Sequence, residues 1–141
     1  MNGTEDATEP ATEHATEHAT DDEVAVGALS DIYEAALLAN QLDVLDGMFL
    51  PDARVLRFGI ADQQRGHEEL AAWRARSPGV PASRRITSRV VLALGADVVA
   101  VDLTFVNGDA PEIGRQSQTW VRTPAGWRIA RAHVSMQASP A

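Results

Sequence analysis

The side chains from which chemistry could be built are Tyr33, Arg57, Trp73, Asp102, Arg115, Ser117 and His133. A planar guanidinium binds a carboxylate through two parallel hydrogen bonds, so Arg57 and Arg115 suit an acidic substrate. An imidazole that titrates near neutrality makes His133 a candidate base. Tyr33, the only tyrosine, is a proton shuttle if its surroundings favour the phenolate. Each residue also has an ordinary reading. Tyr33 and His133 can be hydrogen-bonded core residues, Arg57 half of a rim ion pair, and Asp102 a solvated outward carboxylate. Ser117 and Ser135 lie in no GxSxG elbow, which removes the usual serine-hydrolase signature. The chain has no cysteine, so disulfides, thiolate zinc sites and thiol nucleophiles are excluded. All 12 basic residues are arginine, which removes Schiff-base lysine chemistry as well.

These side chains must be positioned by regular elements. Val24, Leu29, Ile32, Tyr33, Ala36 and Leu37 recur at three- and four-residue steps, predicting an amphipathic helix from about Asp22 to Asn40. A second short helix is predicted over Leu42 to Phe49, closed by Pro51, and a short strand over Ala53 to Phe58 ending at Gly59. A third helix, His67 to Arg76, carries Leu70 and Trp73 inward and is broken by Pro78, Gly79 and Pro81. Strands follow over Arg84 to Leu94, Val98 to Val106, Ile113 to Arg122 and Trp127 to Met136, with short turns that make an antiparallel meander. Helices first and a curved sheet afterwards is an α+β arrangement with a cavity between the layers. An outer sheet face of this size needs cover, and a homodimer through that face is the expected partner.

Strand alternation sorts the pocket candidates. On the last strand Trp127, Ile129, Arg131, His133 and Ser135 share one face, and on the strand before it Arg115, Ser117, Thr119 and Val121 alternate with Gln116, Gln118, Trp120 and Arg122. Each set is apolar at one end and polar at the other, as a small-molecule pocket requires. Arg115, Ser117, His133 and Trp73 are therefore expected to bind substrate.

At 141 residues the chain has room for one domain with a self-sufficient core. The net charge of −8 is unevenly spread. Residues 1–23 hold Glu5, Asp6, Glu9, Glu13, Glu17, Asp21, Asp22 and Glu23 with no arginine, whereas the rest of the chain balances its acids against its arginines. A neutral body has no electrostatic footprint for nucleic acid. The first segment repeats an ATE(H/P) unit without large apolar residues, so residues 1–21 are read as a disordered acidic tail and residues 22–138 as the folded domain. His14 and His18 have the spacing of a helical metal pair, but the spacing follows the repeat, and no metal is expected. The apolar runs are too short to cross a membrane as a helix, and no apolar leader is seen, so a cytoplasmic location is expected.

Two stretches carry a family likeness: DIYEAALLANQLDVLDGMFLPDARVLRFG and GRQSQTWVRTPAGWRIARAHVSMQ. They strongly resemble the AtzH-like (HpxZ, oxalurate catabolism) family of the NTF2-like, SnoaL-like superfamily, from about Asp22 to Met136. The resemblance implies an α+β cone, with three N-terminal helices packed in a curved antiparallel sheet around a central pocket, and a dimer without cofactor or metal. It also implies, in at least one branch, hydrolytic deamination of 1,3-dicarboxyurea, with catalytic roles falling on Tyr33 in YEAAL and Arg57 in LRFG. A guanidinium beside Tyr33 is expected to lower its pKa. Ser77 precedes Pro78 where the family commonly has arginine, with Arg74 and Arg76 nearby, and this bears on substrate identity. Two alternatives stand beside the hydrolase: a carboxylate-binding accessory protein of an amidase pathway, and a SnoaL- or ketosteroid-isomerase-like isomerase or cyclase using His133 or Asp102 as base.

Overall fold

Thr20 opens the first helix, α1 (Asp21–Ala39), with a reciprocal cap: its hydroxyl accepts from the Glu23 N–H at 3.1 Å, and the Glu23 carboxylate accepts from the Thr20 N–H at 2.8 Å. Asn40 closes the helix in the left-handed region, at φ 52°. The second Glu23 oxygen accepts from the Ala93 N–H, tying the start of α1 to the far edge of the sheet. The structure, a computed structural model, describes residues 19–138. Most of the acidic repeat, with His14 and His18, lies outside the described residues.

The buried face of α1 is Val26, Gly27, Ser30, Tyr33 and Ala36. Val24 and Ile32, expected inside, are exposed. The helix is rotated from its most apolar stripe, with the small Gly27 and Ser30 on its buried face; a Cβ on Gly27 would make ordinary contact with Val91 at 3.9 Å. Two shorter helices follow, α2 (Leu42–Gly47) and α3 (His67–Arg76), with strands β1 (Leu56–Phe58) and β2 (Gln63–Arg65) between them. The remaining chain is β3 (Arg84–Gly95), β4 (Val98–Asn107), β5 (Ile113–Thr123) and β6 (Gly126–Gln137).

The six strands form one sheet in the order β2-β1-β6-β5-β4-β3. The meander from β3 to β6 is antiparallel as expected, but β1 joins β6 in parallel, with Arg57 opposite Ala132 and Phe58 opposite His133. One irregularity in β6 decides where the side chains go. Thr119 pairs with Arg131 and the next residue, Trp120, pairs with Ile129, so Ala130 is an extra residue. Such a bulge inverts the alternation beyond it. Trp127 and Ile129 are inward before it, and Ala132 and Val134 after it, leaving Arg131 and His133 outside.

The inner sheet face and the helices enclose the core, centred on Val26, Phe49, Val99, Val101, Trp120 and Ile129, all at most 1% exposed. Full burial of a side chain of this size is worth about 1.5–3 kcal/mol, so this cluster dominates the favourable side of folding.

Candidate functional site

Between α1, α3 and the concave sheet face lies a cavity of about 220 Å³. Tyr33, Arg57, Trp73, Arg74, Arg84 and Gln118 are among its lining residues. Tyr33 is brought there by the inward face of α1; its ring meets Phe49 edge-on at 6.2 Å and is 5% exposed. Arg57 is brought there by the register of β1 on β6, beside the small Ala132. Its guanidinium lies 4.1 Å from the centre of the Trp73 ring. Its Nη1 donates to Asp62 at 2.8 Å and to Gln64 at 2.9 Å, and Gln64 also donates to Asp62. The chain turns between Arg57 and Asp62 at Gly59, where a Cβ would collide with the Asp62 carboxylate and lie 2.7 Å from the Arg57 guanidinium. Glycine lets that pair close over the backbone, and a side chain there would push the two groups aside.

Two further arginines reach the cavity. Arg74, on the inward face of α3, donates through Nε to Asp46 at 2.8 Å, and its buried Nη2 meets no acceptor among the described residues. Arg84, at the start of β3, donates to Glu34 at 3.0 and 3.3 Å and to Gln116 at 3.2 Å. It also stacks 3.8 Å from the centre of the Phe105 ring. Gly114 makes that stack feasible, because a Cβ there would sit inside the Phe105 ring. Asp62 lines the cavity with Arg57, whereas Asp46 and Glu34 do not line it. The cavity wall is thus more cationic than the formal count of ion pairs suggests.

The placement of the sequence candidates divides in two. Tyr33, Arg57 and Trp73 come together in the cavity. Arg115, Ser117 and His133 do not: all are exposed on the convex face, where Asp102, Ser117 and His133 stand opposite one another across β4, β5 and β6. His133 meets Phe58 edge-on at 5.6 Å. Regular alternation was assumed for β6, and the Ala130 bulge breaks it. In β5 the alternation is regular, but the inward set is Gln116, Gln118 and Trp120. Arg84, Glu34, Gln116 and Gln118 were not among the candidates, and Arg74 was named only as an arginine near Ser77. The alternating QSQTW run contained the signal for the two glutamines. Nothing local marks Arg84.

The electrostatics correct a second expectation. Burial raises the Tyr33 pKa above 10.0, and this outweighs the opposing pull of Arg74, Arg57 and Arg84, while Glu34 adds to the rise. Tyr33 is a neutral phenol at physiological pH, a hydrogen-bond donor and not a phenolate base. Among the described residues no group of three or more His, Asp or Glu gathers as metal ligands, and no helix is long and apolar enough to cross a membrane.

The sequence profile of the AtzH-like family matches residues 19–140. No curated protein matches the chain. Among solved structures, a cystatin-like fold protein of Burkholderia xenovorans superposes with a TM-score of 0.80 at 41% identity, covering 86% of this chain and 96% of that one. A protein of unknown function from Pectobacterium atrosepticum gives a TM-score of 0.79 at 37% identity, over 84% and 94%. An NTF2-like protein of unknown function from Pseudomonas putida gives 0.72 at 16% identity, over 83% and 87%, which speaks to the fold alone. The architecture is NTF2-like, an α+β fold whose curved sheet wraps three helices.

Proposed function

The chain belongs to the AtzH-like family, and on that premise we propose that it hydrolyses a compact carboxylated urea, with 1,3-dicarboxyurea as the test substrate. One observation carries the reading: a small cavity lined by one buried tyrosine and three guanidinium groups. A volume of about 220 Å³ is below the roughly 300 Å³ at which sites for drug-sized ligands begin. That size and the arginines favour a small acid over the apolar, polyketide-like ligand of an isomerase or cyclase. His133 and Asp102, the bases such an enzyme would use, are on the other side of the sheet.

In the proposed reaction a ligand carboxylate takes the place of Asp62 on the Arg57 guanidinium, which can offer it two parallel hydrogen bonds. Water adds to the urea carbonyl carbon. The phenol of Tyr33 donates a hydrogen bond as negative charge grows on the carbonyl oxygen, a contribution worth about 3–4 kcal/mol where single donors of this kind have been removed from hydrolases. The C–N bond then breaks. One water proton ends on the departing nitrogen, which leaves as carbamate, and the other half leaves as a carboxylic acid; loss of carbon dioxide from the carbamate yields ammonia.

The test is ammonia release from fresh 1,3-dicarboxyurea above the uncatalysed background. Tyr33→Phe and Arg57→Ala are expected to lose at least 99% of turnover while melting as cooperatively as the wild type, and Ser117→Ala to retain it. Absence of turnover by the wild type would remove the hydrolase and leave the accessory, carboxylate-binding reading. We also infer a homodimer through the convex sheet face, supported by Val90, Leu92 and Leu94, which stand at alternate positions of β3 and are 61%, 51% and 63% exposed.

A further inference from the structure

Two cavity-lining residues have buried donors that no described residue satisfies: Arg74 through Nη2 and Gln118 through Nε2. Both residues are at most 5% exposed and both donor atoms are buried, so neither donor is compensated by bulk water. Unpaired donors of this kind are rare in folded proteins and call for a partner.

The orientation of each group is set from behind. Trp120 Nε1 can only donate, and it does so to the Gln118 oxygen at 3.2 Å; the amide nitrogen is therefore the end left over. Arg74 is held by Asp46 on Nε, at 2.8 Å, and its guanidinium lies 5.5 Å from the Phe49 ring centre and 5.7 Å from that of Trp73. One cationic donor from α3 and one neutral donor from β5 remain in the same cavity, and neither has an acceptor of its own. The complementary group is anionic and has two acceptor oxygens.

We propose that Arg74 and Gln118 form a second acid-recognition element, binding a carboxylate of the ligand other than the one held by Arg57 and selecting diacids over monoacids. This rests on the cavity being a carboxylate site, as in the proposed function, but it does not require turnover. Neither residue needs to touch the reacting carbonyl; they are specificity-determining residues.

The test is equilibrium binding, by calorimetry, of 3-oxoglutarate and acetoacetate. These carry two carboxylates and one on the same kind of carbonyl framework and have no urea bond to hydrolyse. The wild type is expected to bind the diacid about tenfold or more tighter, the scale of one charge-assisted hydrogen bond. Gln118→Glu keeps an acceptor for Trp120 while replacing the donor with an anion, and Arg74→Lys keeps a charge for Asp46 while removing the planar fork. Both are expected to abolish the diacid preference by weakening 3-oxoglutarate binding at least about tenfold more than acetoacetate binding. Gln118→Met serves as a second variant if Gln118→Glu does not fold.

Equal affinity of the wild type for the two acids overturns the proposal, as does an unchanged preference in folded Gln118 and Arg74 variants. The outcomes separate from those of the hydrolase test. Diacid selection that depends on these residues, without ammonia release from 1,3-dicarboxyurea, keeps the recognition element and removes the catalytic reading. Ammonia release with unaltered diacid preference in the variants does the reverse.

Discussion

Substituting Glu34 by glutamine probes how dry the Arg84 end of the cavity is. Arg84 and Glu34 are 4% and 12% exposed and are joined by two hydrogen bonds, at 3.0 and 3.3 Å. Gln116 completes a ring, accepting from Arg84 at 3.2 Å and donating to Glu34 at 3.1 Å. Removing one charge of a buried pair costs about 3–5 kcal/mol, because the other charge is left uncompensated. The lower end applies to Glu34→Gln, since Arg84 keeps Gln116 and its stack on Phe105. For a folded body of about 120 residues, unfolding entropy near 2.1 cal/mol/K per residue gives about 0.25 kcal/mol per degree. A loss of about 3 kcal/mol therefore lowers Tm by about 12 °C at pH 7. Calorimetry reads the shift, and urea unfolding reads the free energy independently. The double variant Glu34→Leu with Arg84→Met should recover most of the loss, because neither charge then remains buried. A drop of less than about 1 kcal/mol in Glu34→Gln would refute the argument by showing that solvent reaches the Arg84 charge without Glu34.

Three further outcomes follow from particular contacts. Gly59→Ala places a methyl group 2.7 Å from the Arg57 guanidinium and pushes it off its place, so ligand affinity and turnover should fall by about tenfold or more with only a small change in Tm; wild-type affinity in this variant would show that the guanidinium need not lie over Gly59. Because the folded Tyr33 pKa lies above its unfolded value of 10.0, Tyr33 contributes stability that is present below pH 10 and lost as pH rises through the folded pKa. Urea unfolding from pH 9 to 11.5 should therefore show a steeper alkaline decline for the wild type than for Tyr33→Phe, and parallel curves would contradict the burial of the hydroxyl. If the convex face is a dimer interface, Leu92→Glu should convert a dimer to a monomer in sedimentation equilibrium, and an unchanged mass would remove that face as the contact.

Much of the architecture was legible because it depends on local signals. Turn chemistry at Gly95–Asp97, Asn107–Asp109 and Pro124–Gly126 separates the long strands, and Pro78 and Gly79 follow the end of α3. Tyr33 and Arg57 were found through the family motifs, and the structure brings both to the cavity. What alternation could not supply was the pocket face of β6, because a bulge is an event between two strands: Ala130 differs from any other alanine only by what β5 offers opposite it. The parallel join of β1 to β6 is likewise a tertiary fact, and so is β2, whose three residues, Gln63–Arg65, have no apolar side chain to announce a strand. Arg84 could not be distinguished from Arg85 beside it until Glu34 and Phe105 were in place.

The ion pairs around the cavity also bear on why Arg57, and not its neighbours, suits the carboxylate-holding role proposed for it. Arg74 and Arg84 are 6% and 4% exposed, and their acids, Asp46 and Glu34, are 23% and 12% exposed. Breaking either pair strands a charge in a poorly solvated place, so these two arginines lend fixed positive potential without exchanging partners. Arg57 is different. It is 13% exposed, but Asp62 is 37% exposed and can return to water, where a pair of this kind is worth at most about 1 kcal/mol. A ligand carboxylate can replace Asp62 on Arg57 at little cost, while the Trp73 ring at 4.1 Å keeps the guanidinium in position throughout. The rim pair is thus the exchangeable contact and the two inner pairs are the permanent field. The proposed binding of an acid would then exchange one carboxylate for another and leave the buried charge pattern intact.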